Sequence, residues 1–104
     1  RPISNLTHLS DTEPIVIKDY SLRQNYPNPF NPTTKINYSI QQAGLVILTV
    51  YDVLGKEITT LVNEEKPIGN YEVIYNSNNL SSGVYFYQLR INNFVSAKKM
   101  VVIK

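Results

Sequence analysis

The chain has 104 residues and a formal net charge of +2, with 42% hydrophobic and 17% charged residues, one histidine and no cysteine. This length suits one domain, the hydrophobic fraction is too high for disorder, and no unbroken apolar run approaches the roughly 18 residues of a membrane span. Thiol nucleophiles, zinc–thiolate sites and disulfides are excluded, and the scattered basic residues lack the clustering typical of nucleic-acid binding.

The composition favours strands over helices. Val, Ile, Thr, Tyr and Phe make up 39 of the 104 residues, whereas Ala, the best helix former, occurs twice. We therefore predict an all-β fold.

The first 21 residues mix Pro, Ser, Thr, Asn and Asp around one apolar cluster at residues 15–17. They are predicted to be a linker, or the end of a preceding region, with one short edge strand within residues 15–20. The chain starts at Arg1 without a basic and then apolar leader, so we expect it to be a piece of a longer protein.

A proline-rich segment follows a predicted strand at residues 22–26. Pro27, Pro29 and Pro32 have no backbone N–H to donate, so this segment cannot be a central strand. It is predicted to be an extended edge, or a crossing between two sheets, that is anchored in the core by Phe30.

Two strands with different burial patterns come next. Residues 34–40 alternate apolar and polar side chains, which is typical of a half-buried strand. Residues 45–52 are apolar on one face and not strongly polar on the other, so this strand is predicted to be central. Asp52 to Gly55 then predicts a tight hairpin, since Asp accepts hydrogen bonds from nearby amides and Gly adopts positive φ.

The remaining strands follow at short intervals. Residues 56–63 form the returning strand of the hairpin, ended by residues 64–67, and alternation resumes over residues 70–76. Leu80 is expected to fill one end of the core from a polar loop. Residues 83–91 open with an apolar run that predicts burial on both faces, and Asn92-Asn93 predicts a two-residue turn into the last strand.

Seven short strands without room for crossover helices predict an antiparallel two-sheet sandwich of immunoglobulin-like type. Turn signals recur every 8–12 residues or so, as expected for this class.

No constellation of reactive side chains supports an enzyme. His8 is the only imidazole and lies in the irregular leader, while Glu64 and Glu65 are an adjacent pair in a predicted turn. The four glycines are isolated, so no phosphate-binding loop exists. We predict a non-catalytic domain that holds no cofactor and no metal.

The eight tyrosines raise the possibility of a carbohydrate-binding platform. Tyr38, Tyr71, Tyr75, Tyr85 and Tyr87 fall on strand positions with core-facing periodicity, which favours packing in the core.

Several segments together resemble a known family. They are NYPNPFNPTTKINYSI, VYDVLGKEITTLVNE, PIGNYEV, LSSGVYFYQL and the terminal KKMVVIK. In this order they resemble the C-terminal sorting domain of type IX secretion system cargo proteins (the type A family), over residues 22–104.

The resemblance implies a folded domain at the C-terminus of a multidomain cargo protein. Its partners would be the outer-membrane secretion machinery and a surface sortase that cuts upstream, within or near residues 1–21. The cargo would reach the cell surface or the medium by way of the periplasm. No membrane span and no nucleic acid would be involved.

The candidate recognition residues follow from the family's motifs. Three groups of residues match these motifs. For the first two groups, a structural role in a turn or in the core is the alternative to recognition. The third group lies on an exposed last strand, which could dock by β-augmentation or charge. The groups are Pro67, Gly69, Tyr71 and Val73; Gly83, Val84 and Tyr85 within the Leu-x-Ser-Gly-Val-Tyr element; and Lys98, Lys99, Met100 and Lys104.

Two other hypotheses remain at this point. One is a passive immunoglobulin-like spacer or carbohydrate-binding module of a secreted hydrolase, and the other is a catalytic fragment, which the missing reactive residues disfavour.

Overall fold

The computed structural model describes residues 19–104, which form seven β-strands and no helix. No helix in this part of the chain is therefore long and apolar enough to cross a membrane. His8 and residues 15–18 of the first predicted strand lie outside the described residues, and Asp19 and Tyr20 are not in a strand. The strands are β1 Ser21–Leu22, β2 Thr33–Ile40, β3 Gly44–Tyr51, β4 Glu57–Lys66, β5 Gly69–Asn76, β6 Gly83–Ile91 and β7 Phe94–Val102.

The strands form two antiparallel sheets, one with the order β1-β2-β5 and the other with the order β4-β3-β6-β7. β1, β2 and β5 occupy the positions of strands A, B and E of an immunoglobulin constant domain, and β3, β6 and β7 those of C, F and G. β4 pairs with the outer side of β3. The predicted immunoglobulin-like sandwich of about seven strands is confirmed, as is the central position of β3.

The core lies between the sheets, and the side chains that fill it come from alternate positions along the strands. The inward residues of β3 are Val46, Leu48 and Val50, each fully buried, and Phe30 is 2% exposed, as predicted for an anchor. Leu80 packs against this core from the loop after β5. Tyr38, Tyr75 and Tyr87 are buried and Tyr71 and Tyr85 pack partly buried against the cluster, which confirms the core-facing prediction for all five.

Both predicted turns are confirmed. The Asp52 carboxylate accepts hydrogen bonds from the backbone N–H groups of Leu54 and Lys56, each at 2.9 Å, and Gly55 has φ +84°. Ile91 pairs with Phe94 across the Asn92-Asn93 turn.

Two strand boundaries and one burial pattern differ from the prediction. β4 continues through Lys66, because the backbone of this edge strand pairs with the start of β3 while its charged side chains remain in solvent. β6 is not buried on both faces, since Arg90 is exposed and Phe86 is only partly buried on the outer face. The predicted strand at residues 22–26 is shortened to β1, with Tyr26 making one isolated bridge to Lys35.

An extra residue in the N-terminal segment explains why β1 is short. Leu22 pairs with Tyr38, whereas Tyr26 pairs with Lys35. An advance of four residues along the N-terminal segment therefore matches three residues along β2. Such a bulge redirects a side chain, and here Asn25 is 2% exposed. The bulge therefore places a polar residue inside the sandwich.

Asn25 belongs to a buried polar network that joins the two sheets. The Tyr87 hydroxyl accepts the backbone N–H of Asn25 at 2.7 Å and donates to the Arg23 carbonyl at 2.6 Å. The Asn25 amide donates to the Thr34 hydroxyl at 2.9 Å, and that hydroxyl donates to the Pro27 carbonyl at 2.8 Å. Buried polar groups are tolerated because each has a partner.

The same segment covers the free edge of β7. The backbone N–H of Phe30 donates to the Val101 carbonyl, and the Phe30 carbonyl accepts the N–H of Ile103, both at 3.0 Å. The Asn28 side chain accepts the N–H of Val101 at 2.9 Å, and the Gln24 amide donates to the Lys99 carbonyl at 2.6 Å. The prolines of this segment lack N–H groups of their own, so the segment covers an edge without offering a full new one.

We expect Tyr87→Phe to lower the free energy of unfolding by about 2 kcal/mol, because it leaves the buried Asn25 N–H and the partly buried Arg23 carbonyl without the Tyr87 hydroxyl as a partner. Urea unfolding measures the change. Tyr51→Phe is the matched control, since its hydroxyl contacts only the Gln88 amide oxygen at 3.5 Å. Equal stability losses in the two variants would contradict the role of the network.

The fold should weaken in alkali. Burial raises the pKa of Tyr87 to about 12, with the Asn25 N–H opposing, and burial, Tyr71 and Glu64 raise the pKa of Tyr38 to about 12. Both phenols hold their protons more tightly in the folded chain, so their contribution is complete below about pH 10 and is lost as the pH rises towards and through 12. Urea unfolding between about pH 9 and pH 12 tests this, and Tyr87→Phe should flatten the decline.

Candidate functional site

The candidate residues fall at opposite ends of the sandwich. Gly69 starts β5 and pairs with Ile40, at the end where β2 finishes. β5 runs from there to Asn76, and the loop after it leads to Gly83, which pairs with Val102. The motif around residues 67–73 and the motif around residues 80–85 therefore do not meet. We call their turns the β5 corner (residues 67–71) and the β6 corner (residues 81–85).

In the β5 corner, the Tyr71 hydroxyl donates to the carbonyl of Pro67, four residues earlier. Gly69 between them has φ +158°, a conformation that side chains disfavour. The Tyr71 ring stacks on Tyr38 with centroids 5.3 Å apart, and the ammonium of Lys66 lies 5.2 Å from the Tyr71 centroid. The motif Pro-x-Gly-x-Tyr thus builds a turn and fastens it to the core.

The β6 corner repeats this construction in the other sheet. The Tyr85 hydroxyl donates to the carbonyl of Ser81, again four residues earlier, at 2.9 Å, and Gly83 has φ +152°. Because β6 corresponds to strand F, this contact is the tyrosine corner of immunoglobulin-like sandwiches. The Gly-x-Tyr spacing shared by the two motifs is therefore explained by one local geometry.

The structure brings the C-terminal tail to the β6 corner. Gly83, Val84 and Tyr85 pair with Val102, Val101 and Met100. Beyond the last strand, the backbone N–H of Lys104 donates to the Ser82 hydroxyl at 2.9 Å, and its ammonium donates to the Ser77 carbonyl at 2.8 Å. Two motifs separated in sequence thus form one unit, in which Lys104 clamps the loop after β5.

The basic pair has a different environment. Lys99 is exposed on the outer face of β7, opposite Phe86, and Lys98 is partly buried on the inner side. The one ion pair among residues 19–104 joins Lys66 to Glu64, so neither lysine is held by a carboxylate. Lys99 is a free positive charge next to an aromatic side chain.

The prediction that the last strand offers an open edge is corrected in its C-terminal half. Between Lys99 and Ile103 the outward backbone groups bond to Gln24, Asn28 and Phe30. The physical reason is the proline-rich segment, which lies on this edge. Within the described chain, strand addition to this part of β7 would require the segment to move.

Accessibility divides the candidate residues into three classes. Met100 is fully buried and Gly69 is buried, so a partner cannot touch these residues in the folded domain. Tyr71, Val73, Gly83, Tyr85 and Lys98 are partly buried. The exposed members are Pro67, Val84, Lys99 and Lys104.

The described residues assemble no cluster of metal-ligating side chains. No group of three or more His, Cys, Asp or Glu side chains comes together within residues 19–104. Glu64 pairs with Lys66 in solvent, and Glu65 is exposed.

Sequence reasoning missed the Asn25–Thr34–Tyr87 network and the mixed apolar and polar outer face of the four-stranded sheet. The network has no sequence signal, because it depends on a bulge. The outer face does have one, since Leu45, Ile47 and Tyr51 leave β3 without a polar face.

Comparisons with known proteins concern nearly the whole described region. The family model for the secretion system C-terminal sorting domain matches residues 24–104. The crystal structure of dimeric latent PorU from Porphyromonas gingivalis is similar, with a TM-score of 0.62 and 18% identity over 84% of this chain and 10% of that chain. At this identity the likeness shows the fold alone, and the aligned part is about a tenth of the PorU chain. No curated protein matches the sequence.

The two exposed lysines should differ in their effect on folding. Lys104→Ala removes the ammonium contact with the Ser77 carbonyl and should lower the free energy of unfolding by about 1 kcal/mol. Lys99→Ala removes no side-chain hydrogen bond or ion pair and should change it by less than about 0.5 kcal/mol. Urea unfolding of both variants decides this, and an equal loss in both would contradict the clamp.

Proposed function

Since the chain belongs to the family of secretion system C-terminal sorting domains, we propose that it is the non-catalytic signal that directs an attached cargo through the type IX secretion system. The cargo is delivered to the cell surface or the medium. The family match over residues 24–104 carries this proposal, and the fold shared with part of PorU supports it.

The proposed route sets the roles of the two parts of the chain. The sorting domain comprises residues 22–104, and residues 1–21 link it to the cargo that precedes it. The cargo reaches the periplasm, the outer-membrane machinery binds the folded domain, and a surface sortase cuts in or near the linker. The structure is compatible with this route because the described residues form one closed sandwich with its own core.

The candidate residues contribute in two ways under this proposal. The exposed ones, Lys99 above all, contact the machinery, since a free cation beside Phe86 is available for binding. The buried and partly buried ones maintain the shape that is recognised, through the two corners and the core. Met100 belongs to the second group because its side chain is fully enclosed.

The carbohydrate-binding alternative loses its main support. Stacking on sugars needs exposed aromatic rings, and most tyrosines of the described chain face the core. Tyr26, at 77% exposure, is the one tyrosine among residues 19–104 with a largely free ring. One isolated ring does not make a platform.

A fusion experiment tests the proposal. The 104-residue chain is fused behind a signal peptide and a folded reporter and expressed in a bacterium with the type IX system and in a mutant without it. We expect the reporter on the surface or in the medium of the first host and in the periplasm of the second. Cell fractionation measures its location, and equal delivery in both hosts refutes the proposal.

Point variants sharpen this test better than deletion of the tail. Removing residues 101–104 also removes buried Val102 and the pairing with Phe30, so it would report on folding. Lys99→Glu reverses one exposed charge and should reduce export, whereas Lys35→Glu, on the outer face of the other sheet, should not. Equal export of both variants would remove Lys99 from the recognised surface.

A further inference from the structure

β5 is an edge strand with one uncovered side. Among residues 19–104 its neighbour in the sheet is β2 alone. The backbone N–H and C=O groups of Lys35 on β2 both bond to Tyr26 in the N-terminal segment. Because a strand directs the backbone groups of alternate residues to opposite sides, those of Ile36 point to β5, where the partner of Ile36 is Val73.

The same alternation shows which backbone groups of β5 are unpaired. Val73 and Tyr71 bond to β2, so the N–H and C=O groups of Glu72 and Ile74 point away from the sheet. No other backbone group of the described chain bonds to them. β5 therefore presents a row of unpaired donors and acceptors, which Asn70 continues towards the β5 corner.

Two other edges of the sandwich are covered or irregular, whereas β5 is neither. The proline-rich segment covers the C-terminal half of β7. Edge strand β4 has two register shifts against β3, which interrupt a regular ladder. β5 pairs with β2 over eight residues without a shift and contains neither Pro nor Lys. It therefore lacks the usual devices that keep an edge strand from pairing with another chain.

The flank of the sandwich beside this edge is acidic. Edge strands β4 and β5 are joined by a short turn at residues 67–68 and lie on the same flank. Four of the six acidic residues within 19–104 lie on these two strands, but only one of the eight basic residues does. Four carboxylates against one ammonium give a formal charge of −3, in a chain whose net charge is +2. The residues are Glu57, Glu64, Glu65, Glu72 and Lys66.

Between the two edge strands the flank also has an apolar surface. Val62 on β4 and Val73 on β5 are partly buried and pack against the core. Val62 lies four residues before the end of β4, and Val73 lies four residues after the start of β5, so the two are at about the same level of the sandwich. A strand added to β5 would direct alternate side chains towards this surface.

We propose that the free edge of β5 binds an extended segment of another protein by strand addition, and that this segment alternates basic and apolar side chains. Hydrogen bonds to the backbone of Glu72 and Ile74 supply affinity, and the positions of the side chains supply specificity. The basic side chains lie on the outer face beside Glu72, and the apolar ones lie towards Val62 and Val73. The acidic flank favours such a segment over an acidic one.

Peptide binding tests the proposal. The probe is an octapeptide of alternating Lys and Val with both termini capped, which matches the length of β5. It is titrated into the 104-residue chain and followed by NMR, with an octapeptide of alternating Glu and Val as the control. We expect the first peptide to shift the amide signals of β5 and to bind about tenfold more tightly than the second. Equal binding of the two peptides, or binding confined to other strands, overturns the proposal.

Hydrogen exchange tests which backbone groups take part. In the free chain, the amides of Glu72 and Ile74 should exchange faster than those of Tyr71 and Val73, which bond to β2. At a concentration of the Lys–Val peptide about ten times its dissociation constant, exchange at Glu72 and Ile74 should slow about tenfold. Unchanged exchange at both positions contradicts strand addition. Slow exchange without peptide that depends on protein concentration would assign the edge to a second copy and would also contradict the proposal.

Methylation of the peptide backbone separates strand addition from attraction between charges, and it leaves the protein unaltered. Alternate N–H groups of a strand point to opposite sides. Binding should therefore be lost with methyl groups on the Lys nitrogens and kept with methyl groups on the Val nitrogens, or the reverse. If both methylated peptides bind, or if neither does, the peptide is not held as an added strand.

A charge reversal tests the position of the basic side chains. Glu72→Lys should weaken binding of the Lys–Val peptide about threefold, because it places like charges side by side. Asp19→Lys is the matched control, since it makes the same change in net charge at an exposed residue before β1 and should leave binding unchanged. Circular dichroism checks that both variants are folded. An equal loss of binding in both variants overturns the proposed position.

The inference does not depend on export. Failure of the peptide experiments leaves the fusion experiment unaffected, and a reporter that is not exported leaves the peptide experiments unaffected.

Discussion

The buried contact between Tyr87 and the segment around Asn25 is the constraint on which the rest of the sandwich depends. The Tyr87 hydroxyl, in the middle of β6, forms hydrogen bonds with two backbone groups of the segment that follows β1 of the other sheet. Because the hydrogen bond between the Asn25 N–H and the Tyr87 hydroxyl is buried, losing one of these partners costs the desolvation of the other. The contact fixes where residues 23–30 run, and their path decides that the edge of β7 is covered.

Covering that edge matters for a domain rich in strands. An open edge strand invites pairing with other chains. Here the protection comes from side-chain amides and from two backbone bonds of Phe30, within a segment whose prolines cannot extend the ladder. The motif with alternating Asn and Pro is thus explained as a structural device that fastens the start of the domain to its end.

Much of the fold was predictable because the alternation of apolar and polar residues along a strand is a local property of the sequence. Six of the strands, both tight turns, the position of β3 and the burial of Phe30 follow from alternation and turn residues near each site. The bulge at Asn25, the continuation of β4 to Lys66 and the incomplete burial of Phe86 were not predictable. Each depends on which strand lies alongside, and that partner is distant in sequence.

By itself the sequence determined the class of fold, the absence of cysteine chemistry and the motifs that resemble a sorting domain. These are properties of composition and short-range order. The tertiary structure alone decided that the Gly-x-Tyr motifs are corners at opposite ends, that Met100 is enclosed while Lys99 is free, and that Lys104 clamps a loop. The physical reason is that burial and hydrogen-bond partners are set by the pairing of distant strands.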